Sequence, residues 1–201
     1  PSEPVAARTF AHRLSRPMGS VIAGSAGERV QTAAAVLCQA ALLSDLQCTQ
    51  KNDYPVTVGS GFSLSEVALS PSPILYTGID QPDAVIVTSA DGLREVKGRG
   101  DLERLAPGGL VIADESLAAE LPPDRTLALP LRHTLSPRLA ALGGLVVFLE
   151  RADILDRDAL HDAVVAIAGD ETSPFDEALR TARRLAAETV ATHRTSIQGK
   201  A

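Results

Sequence analysis

A chain of 201 residues is long enough to bury one sizeable core, and 45% hydrophobic against 22% charged residues excludes disorder of the whole. A formal net charge of −6, with no basic run and no interleaving of aromatics with cations, excludes nucleic acid as the main partner. Aromatics are only 3% and tryptophan is absent, so the core rests on Leu, Val, Ile and Ala, which suits helices packed on a parallel sheet.

Taken in chain order, Pro1 to Pro17 mix Arg8, His12, Arg13 and Arg16 without a period. Residues 1–18 are therefore expected to be an N-terminal arm or linker, 19–193 the domain, and 194–201 a frayed tail. Ser20 to Ala23 predict a strand. Gly24, Ser25, Ala26 and Gly27 follow as a tight turn, and a helix runs from Glu28 to Leu43 with a buried stripe at Val30, Ala33, Ala34, Leu37 and Ala41. Strand, tight loop and helix in that order hold a helix N-terminus towards a ligand or a partner backbone, which makes Gly24 to Gly27 the candidate cofactor-binding loop. It is not a G-x-G-x-x-G fingerprint, because Ala26 and Arg29 stand where glycines are required, and no Gly-Lys-Ser/Thr follows to make a P-loop. The plainer reading is a turn that only joins strand to helix.

Cys38 and Cys48 are the only cysteines, and they form no C-x-x-C. The chain alone can hold neither an iron–sulfur cluster nor a structural zinc. Without a signal peptide, two thiols read as reduced and cytoplasmic, with Cys38 a small apolar core residue of the first helix. No apolar run reaches transmembrane length, so no membrane insertion is expected.

A segment ending at Thr49 predicts a second strand. Asn52 to Ser63 is then rich in small and turn residues, and such a loop inside a compact domain is more often functional than a plain connector. Its Tyr54, Gly59, Ser60, Gly61 and Phe62 are the candidate interface, with the two aromatics as apolar anchors. Further strands are expected around Ser65 to Leu69, at Ile74 to Tyr76, at Asp83 to Thr88, at Leu110 to Ala113 and at Thr126 to Leu131, with a helix from Asp91. Beyond residue 133 the pattern is helical only. Ser136-Pro137 and Ser173-Pro174 each place a capping serine before a proline, with Asp176 completing a capping box. Leu139 to Leu149 is apolar all round and so predicts a buried helix. The fold class is α/β: Rossmann-like, a largely parallel sheet flanked by helices, with a helical C-terminal region.

Other chemistry-bearing residues favour plain roles. His133 beside Arg132 is an acid–base or anion-binding candidate, but it lacks a spaced partner and reads as surface or capping. Asp114-Glu115 follow a strand's carboxyl end, where ligands gather in open α/β sheets, yet a helix start explains them. Arg180, Arg183 and Arg184 form a solvated or interfacial face. No catalytic residue and no metal-ligand set emerges.

Several segments together carry a resemblance. Gly24-Ser25-Ala26-Gly27-Glu28-Arg29-Val30 with Thr32-Ala33, then Tyr54, Gly59-Ser60-Gly61, Ser65 to Ser70, Asp83-Ala84-Val85, Leu105 to Ile112 and Leu142 to Leu145 occur in order. On these the chain resembles the gamma subunit of the 2-oxoacid:acceptor oxidoreductases, the pyruvate- and ketoisovalerate:ferredoxin type, over roughly residues 19 to 185. The departures are Ala26 and Arg29 for glycines, Glu28 for glutamine and Gly59-Ser60 for arginine-glycine. An acid at 28 suits the helix dipole but repels an anion placed there.

The resemblance implies a subunit without catalytic residues of its own, inactive alone, in a complex that oxidatively decarboxylates a 2-oxoacid. It implies partner alpha and beta subunits with thiamine diphosphate and magnesium, and an iron–sulfur subunit with 4Fe–4S clusters. Electrons pass to ferredoxin or another acceptor, and the acyl group to coenzyme A. The alternatives are a free-standing Rossmann-like nucleotide-binding domain and an interaction module whose ligand site has decayed.

Overall fold

The computed structural model describes residues 9–53, 61–169 and 172–198. Its strands are β1 (Met18–Ser25), β2 (Gln47–Asp53), β3 (Phe62–Ser70), β4 (Ala84–Val87), β5 (Leu110–Asp114) and β6 (Thr126–Leu129). Its helices are α1 (Val30–Leu43), α2 (Ala90–Arg99), α3 (Leu131–Leu135), α4 (Pro137–Ala152), α5 (Arg157–Ala168) and α6 (Thr172–Gln198). One six-stranded sheet runs in the order β2-β3-β1-β4-β5-β6. The pairs β1–β4, β4–β5 and β5–β6 are parallel, whereas β3 is antiparallel to both β1 and β2. Only β3 runs against the rest, so the expected largely parallel sheet is observed.

The apolar residues of β1, β3, β4 and β5 feed two cores, one on each face of the sheet. Ile22, Val67, Leu69, Ile86 and Ile112 face α1 and the C-terminal helices, whose Leu37, Leu145 and Phe175 complete the larger core. Val21, Ala23, Leu64, Val85 and Val87 face α2, where Leu93 and Val96 close the smaller one. α4 carries ten consecutive buried residues, Ala140 to Leu149, because it is covered by α6 on one side and by the sheet and α1 on the other. The expected all-round apolar helix is thus accounted for.

Four local expectations are corrected. Ile74 to Tyr76 is not a strand: no strand runs beside it among the described residues, and Leu75 and Tyr76 are 98% and 69% exposed. Asn52, Asp53, Phe62 and Ser63 belong to the β2–β3 hairpin, so the connector is shorter than Asn52 to Ser63. Ser136 makes no side-chain cap, because α3 runs straight into α4 and the joining residue sits at φ 70°. The capping box at Ser173 is absent too: α6 is already helical at Thr172, whose hydroxyl donates to the Gly169 carbonyl, and Ser173 lies within the first turn. α6 continues to Gln198, past residue 194.

The cysteines are the largest departure. Cys38 of α1 and Cys48 of β2 are joined in a disulfide, with Cα atoms 5.6 Å apart, rather than standing as two thiols. A separation of ten residues says little from sequence; the helix-to-strand reversal at Ser44-Asp45 is what brings them together. No helix among the described residues is long and apolar enough to cross a membrane.

Candidate functional site

α1 leaves β1 on one face of the sheet and α2 leaves β4 on the other, so the gap between the carboxyl ends of these two parallel strands is a topological switch point. Gly24 to Gly27 lies on one bank of this gap and Thr88-Ser89 on the other. Asp114, at the end of β5, and Arg132, from α3, stand beside them.

The gap is closed by the chain's own polar groups. Glu28, 7% exposed, folds back over the turn and accepts a hydrogen bond from the Ser25 amide at 3.0 Å. Its other carboxylate oxygen pairs with the Arg132 guanidinium, which also donates to the Thr88 carbonyl at 3.2 Å. The Thr88 hydroxyl lies 3.3 Å from the Ala23 carbonyl and 3.4 Å from Glu28, so its one proton serves one of them at a time. The Ala26 amide donates to the Gly61 carbonyl at 2.9 Å, and the Glu28 amide to the Ser25 carbonyl at 3.2 Å. Three amides that could have held a phosphate are therefore already bonded within the chain. An anion at this helix end is present in advance, as Glu28.

Close packing explains the small residues. A Cβ on Gly24 would fall 2.7 Å from the Thr88 hydroxyl and 2.9 Å from the Glu28 carboxylate. A Cβ on Gly92 would fall 2.7 Å from the Gly24 nitrogen and 2.8 Å from the Ala23 carbonyl carbon, both backbone. Gly92 thus lets the α2 N-terminus sit directly against the end of β1. Ser25 ties the same two elements by donating to Asp91 at 3.0 Å, and Ser89 caps α2 by accepting from the Gly92 amide.

Arg29 shows why α1 begins at Val30 rather than Glu28. It adopts left-handed backbone, φ 55°, where the resembling family has glycine, and its guanidinium stacks over Phe175 of α6 at 5.3 Å. A cation on an aromatic face contributes about 0.5–2 kcal/mol, enough to offset the strain of that conformation.

Of the other candidates, Gly61 and Phe62 lie next to the Gly24 turn: Ser25 pairs with Phe62 in the β1–β3 ladder, and the half-buried Phe62 ring packs on the smaller core. The two candidate regions are one contiguous surface at this point. Tyr54, Gly59 and Ser60 lie outside the described residues. Asp114 is 4% exposed and accepts from the Ser116 and Arg132 amides, at 3.2 and 2.8 Å, which is a capping role. His133 is exposed on the rim of a groove of about 510 Å³ between α3, α4 and α6. Arg180 and Arg184 are exposed, and Arg184 pairs with Glu188 at 3.9 Å, whereas the half-buried Arg183 departs from a solvated face: it pairs with Glu150 of α4 at 3.2 Å and donates to the Arg157 carbonyl at 3.1 Å. Among the described residues no group of His, Cys, Asp and Glu could hold a metal ion. Sequence reasoning placed Thr88 in a strand and Asp91 at a helix start, but gave Thr88, Asp91 and Gly92 no part in the site. The signal for the last two was the Asp91-Gly92 step in the first turn of the helix that follows a buried strand, but only the fold places it against Gly24.

Residues 20–168 match the family described as pyruvate ferredoxin/flavodoxin oxidoreductase. No curated protein matches the chain in sequence. Among solved structures, the gamma subunit of a keto/oxoacid ferredoxin oxidoreductase from Geobacter sulfurreducens is similar with a TM-score of 0.70 and 20% identity, over 86% of this chain and 97% of that one. Subunit PORC of pyruvate oxidoreductase from Thermotoga maritima has a TM-score of 0.63 at 13% identity, over 87% and 97%. A 2-oxoglutarate:ferredoxin oxidoreductase from Magnetococcus marinus, solved with 2-oxoglutarate, coenzyme A and succinyl-CoA bound, has a TM-score of 0.68 at 16% identity. The likeness covers 87% of this chain but only 32% of that one. At these identities the structures establish the shared fold.

Proposed function

Because this chain belongs to the pyruvate ferredoxin/flavodoxin oxidoreductase family, we propose that it is the gamma subunit of a thiamine-dependent 2-oxoacid:acceptor oxidoreductase complex in the cytoplasm. The complex would decarboxylate a 2-oxoacid, pass the electrons to ferredoxin or another acceptor, and transfer the acyl group to coenzyme A. The alpha and beta subunits would hold thiamine diphosphate and magnesium, and an iron–sulfur subunit the 4Fe–4S clusters. This chain would contribute surface rather than reacting groups.

The observation that carries this reading is the internally closed Gly24 to Gly27 turn within a chain of that family. The turn has the shape of a ligand loop, yet Glu28 and Arg132 fill the place a phosphate would take. A wall beside another subunit's active site needs small residues and close backbone approach, and it needs no bound nucleotide. The contiguity of Ala26 with Gly61 supports one contact face made of Gly24 to Gly27 together with the candidate interface at Tyr54, Gly59, Ser60, Gly61 and Phe62. The same closure weighs against the free-standing nucleotide-binding alternative.

The test is an omission assay. The proposed thiamine-binding and iron–sulfur partner subunits are mixed with and without this chain, and 2-oxoacid-dependent reduction of a viologen dye is followed. Full reduction only in the complete mixture supports the proposal. Equal rates without the chain, or micromolar binding of NAD or ATP to the chain alone, would replace it with the nucleotide-binding reading.

A further inference from the structure

β2 is an edge strand, paired only with β3, and its seven residues Gln47 to Asp53 include a single apolar one, Cys48. Edge strands with few apolar anchors open more readily than central ones, because little buried surface holds them. The links of β2 to α1 are few. Gln50 donates to the Gln31 carbonyl at 3.3 Å, and Cys48 is bonded to Cys38. On the opposite side of the strand, Lys51 pairs with Glu66 at 3.3 Å and Asp53 with Arg99 at 3.8 Å, contacts that tie β2 to β3 and α2 but not to α1. Both cysteines are only partly buried, so a small thiol or disulfide can reach them.

We propose that Cys38 and Cys48 form a reversible thiol–disulfide latch, which fastens β2 to α1 when oxidised and releases the strand when reduced. The chemistry is exchange with a low-molecular-weight disulfide of the glutathione class. One protein thiolate attacks a sulfur of that disulfide and expels a thiolate, giving a mixed disulfide; the second protein thiolate attacks the protein sulfur of that bond and expels the other. Two protein thiols lose two electrons and two protons in total, and one small disulfide becomes two thiols. Excess small thiol runs the same steps backwards. A cross-link over ten residues acts mainly on the open state, because it withdraws the freedom that β2 gains on leaving α1.

The test uses the full 201-residue chain equilibrated across ratios of reduced to oxidised glutathione. Free thiols are alkylated and counted by intact mass, and amide hydrogen exchange is followed in the two end states. The expected result is one transition in which both thiols disappear together. Amides of Gln47 to Asp53 should exchange about tenfold more slowly in the oxidised form while those of β4 and β5 are unchanged. The melting temperature should rise by roughly 5–10 °C on oxidation. The Cys48→Ser variant should behave as the reduced protein in both buffers; the wild-type comparison decides the matter if that variant does not fold. Two alkylated thiols at every ratio, a stable mixed disulfide with glutathione, or equal exchange over Gln47 to Asp53 in the two states would each overturn the latch.

Discussion

Two clusters of buried charge lie on this sheet, and they do different work. One, Glu28 with Arg132, sits at the switch point beside Asp114, where ligands of open α/β sheets collect. The other, Arg99 with Glu66, Asp101 and Asp53, sits on the α2 side and joins that helix to the β2–β3 hairpin. Asp101 is 1% exposed and Arg104 is its second partner, at 2.6 Å. The first cluster occupies a place where chemistry is expected and makes the loop self-sufficient. The second lies along the α2 face of the hairpin, away from the strand ends, and clamps one layer to the next. Buried charge by itself therefore does not distinguish a candidate site from a structural clamp; only the first cluster lies at the strand ends.

The comparison can be broken most strongly at the point where the switch loop meets α2. Gly92→Ala drives a methyl group into the backbone of Ala23 and Gly24, so a loss of about 3 kcal/mol is expected, from overpacking against atoms that cannot rotate away. Urea unfolding of the free chain measures it. A loss under a few tenths of a kcal/mol would mean that α2 is not seated as described.

Arg99→Ala should come next. Its guanidinium is 20% exposed and serves two carboxylates that are 8% and 1% exposed, though Lys51 and Arg104 remain as partners, so a loss of about 2–3 kcal/mol is expected. Hydrogen exchange should quicken in β2 and β3 but not around Ser25. Arg132→Ala should be milder, about 1–2 kcal/mol, because that side chain is a third exposed and already solvent-screened. Here the faster exchange should appear at Ser25 and Ala26. Glu28→Gln should cost less than Arg132→Ala, since an unpaired arginine can turn to water whereas an unpaired buried carboxylate cannot. The reverse order would contradict the closed-loop description.

The smallest effect is a pH dependence. Burial raises the Asp101 carboxyl above its ordinary value, against the pull of Arg99 and Arg104. An acid with a raised native value releases its proton first in the unfolded chain, so raising the pH through that window favours unfolding. Its stabilising contribution is complete below the ordinary carboxylate range and is lost as pH climbs through the raised native value. Unfolding free energies of the wild type minus those of Asp101→Asn should fall across that window. A difference that rises instead would show that the ion pairs outweigh the burial.

Much of this was legible in the sequence. Apolar runs such as Val85-Ile86-Val87 and the stripe on α1 need only local periodicity to be read, and the switch-point turn followed from strand, small residues and helix in succession. What remained hidden depends on contacts far apart in the chain. Arg132 reaches Glu28 across 104 residues, and Arg29 reaches Phe175 through the docking of α6. Glu28 looked like an acid that would repel an anion. In the fold it takes the anion's place. The cysteine pair was misread for a similar reason, because the reversal that joins Cys38 to Cys48 is a tertiary fact.

The central claim is that this chain works by assembly rather than by a ligand of its own. Its most direct test is co-expression with the thiamine-binding and iron–sulfur subunits proposed as its partners, followed by gel filtration with quantified subunit ratios. The expected result is a single complex holding this chain in fixed stoichiometry, weakened when Tyr54→Ala and Phe62→Ala are combined although the free double variant keeps its fold. Elution of the wild-type chain apart from those subunits, at every ratio tested, would contradict the claim.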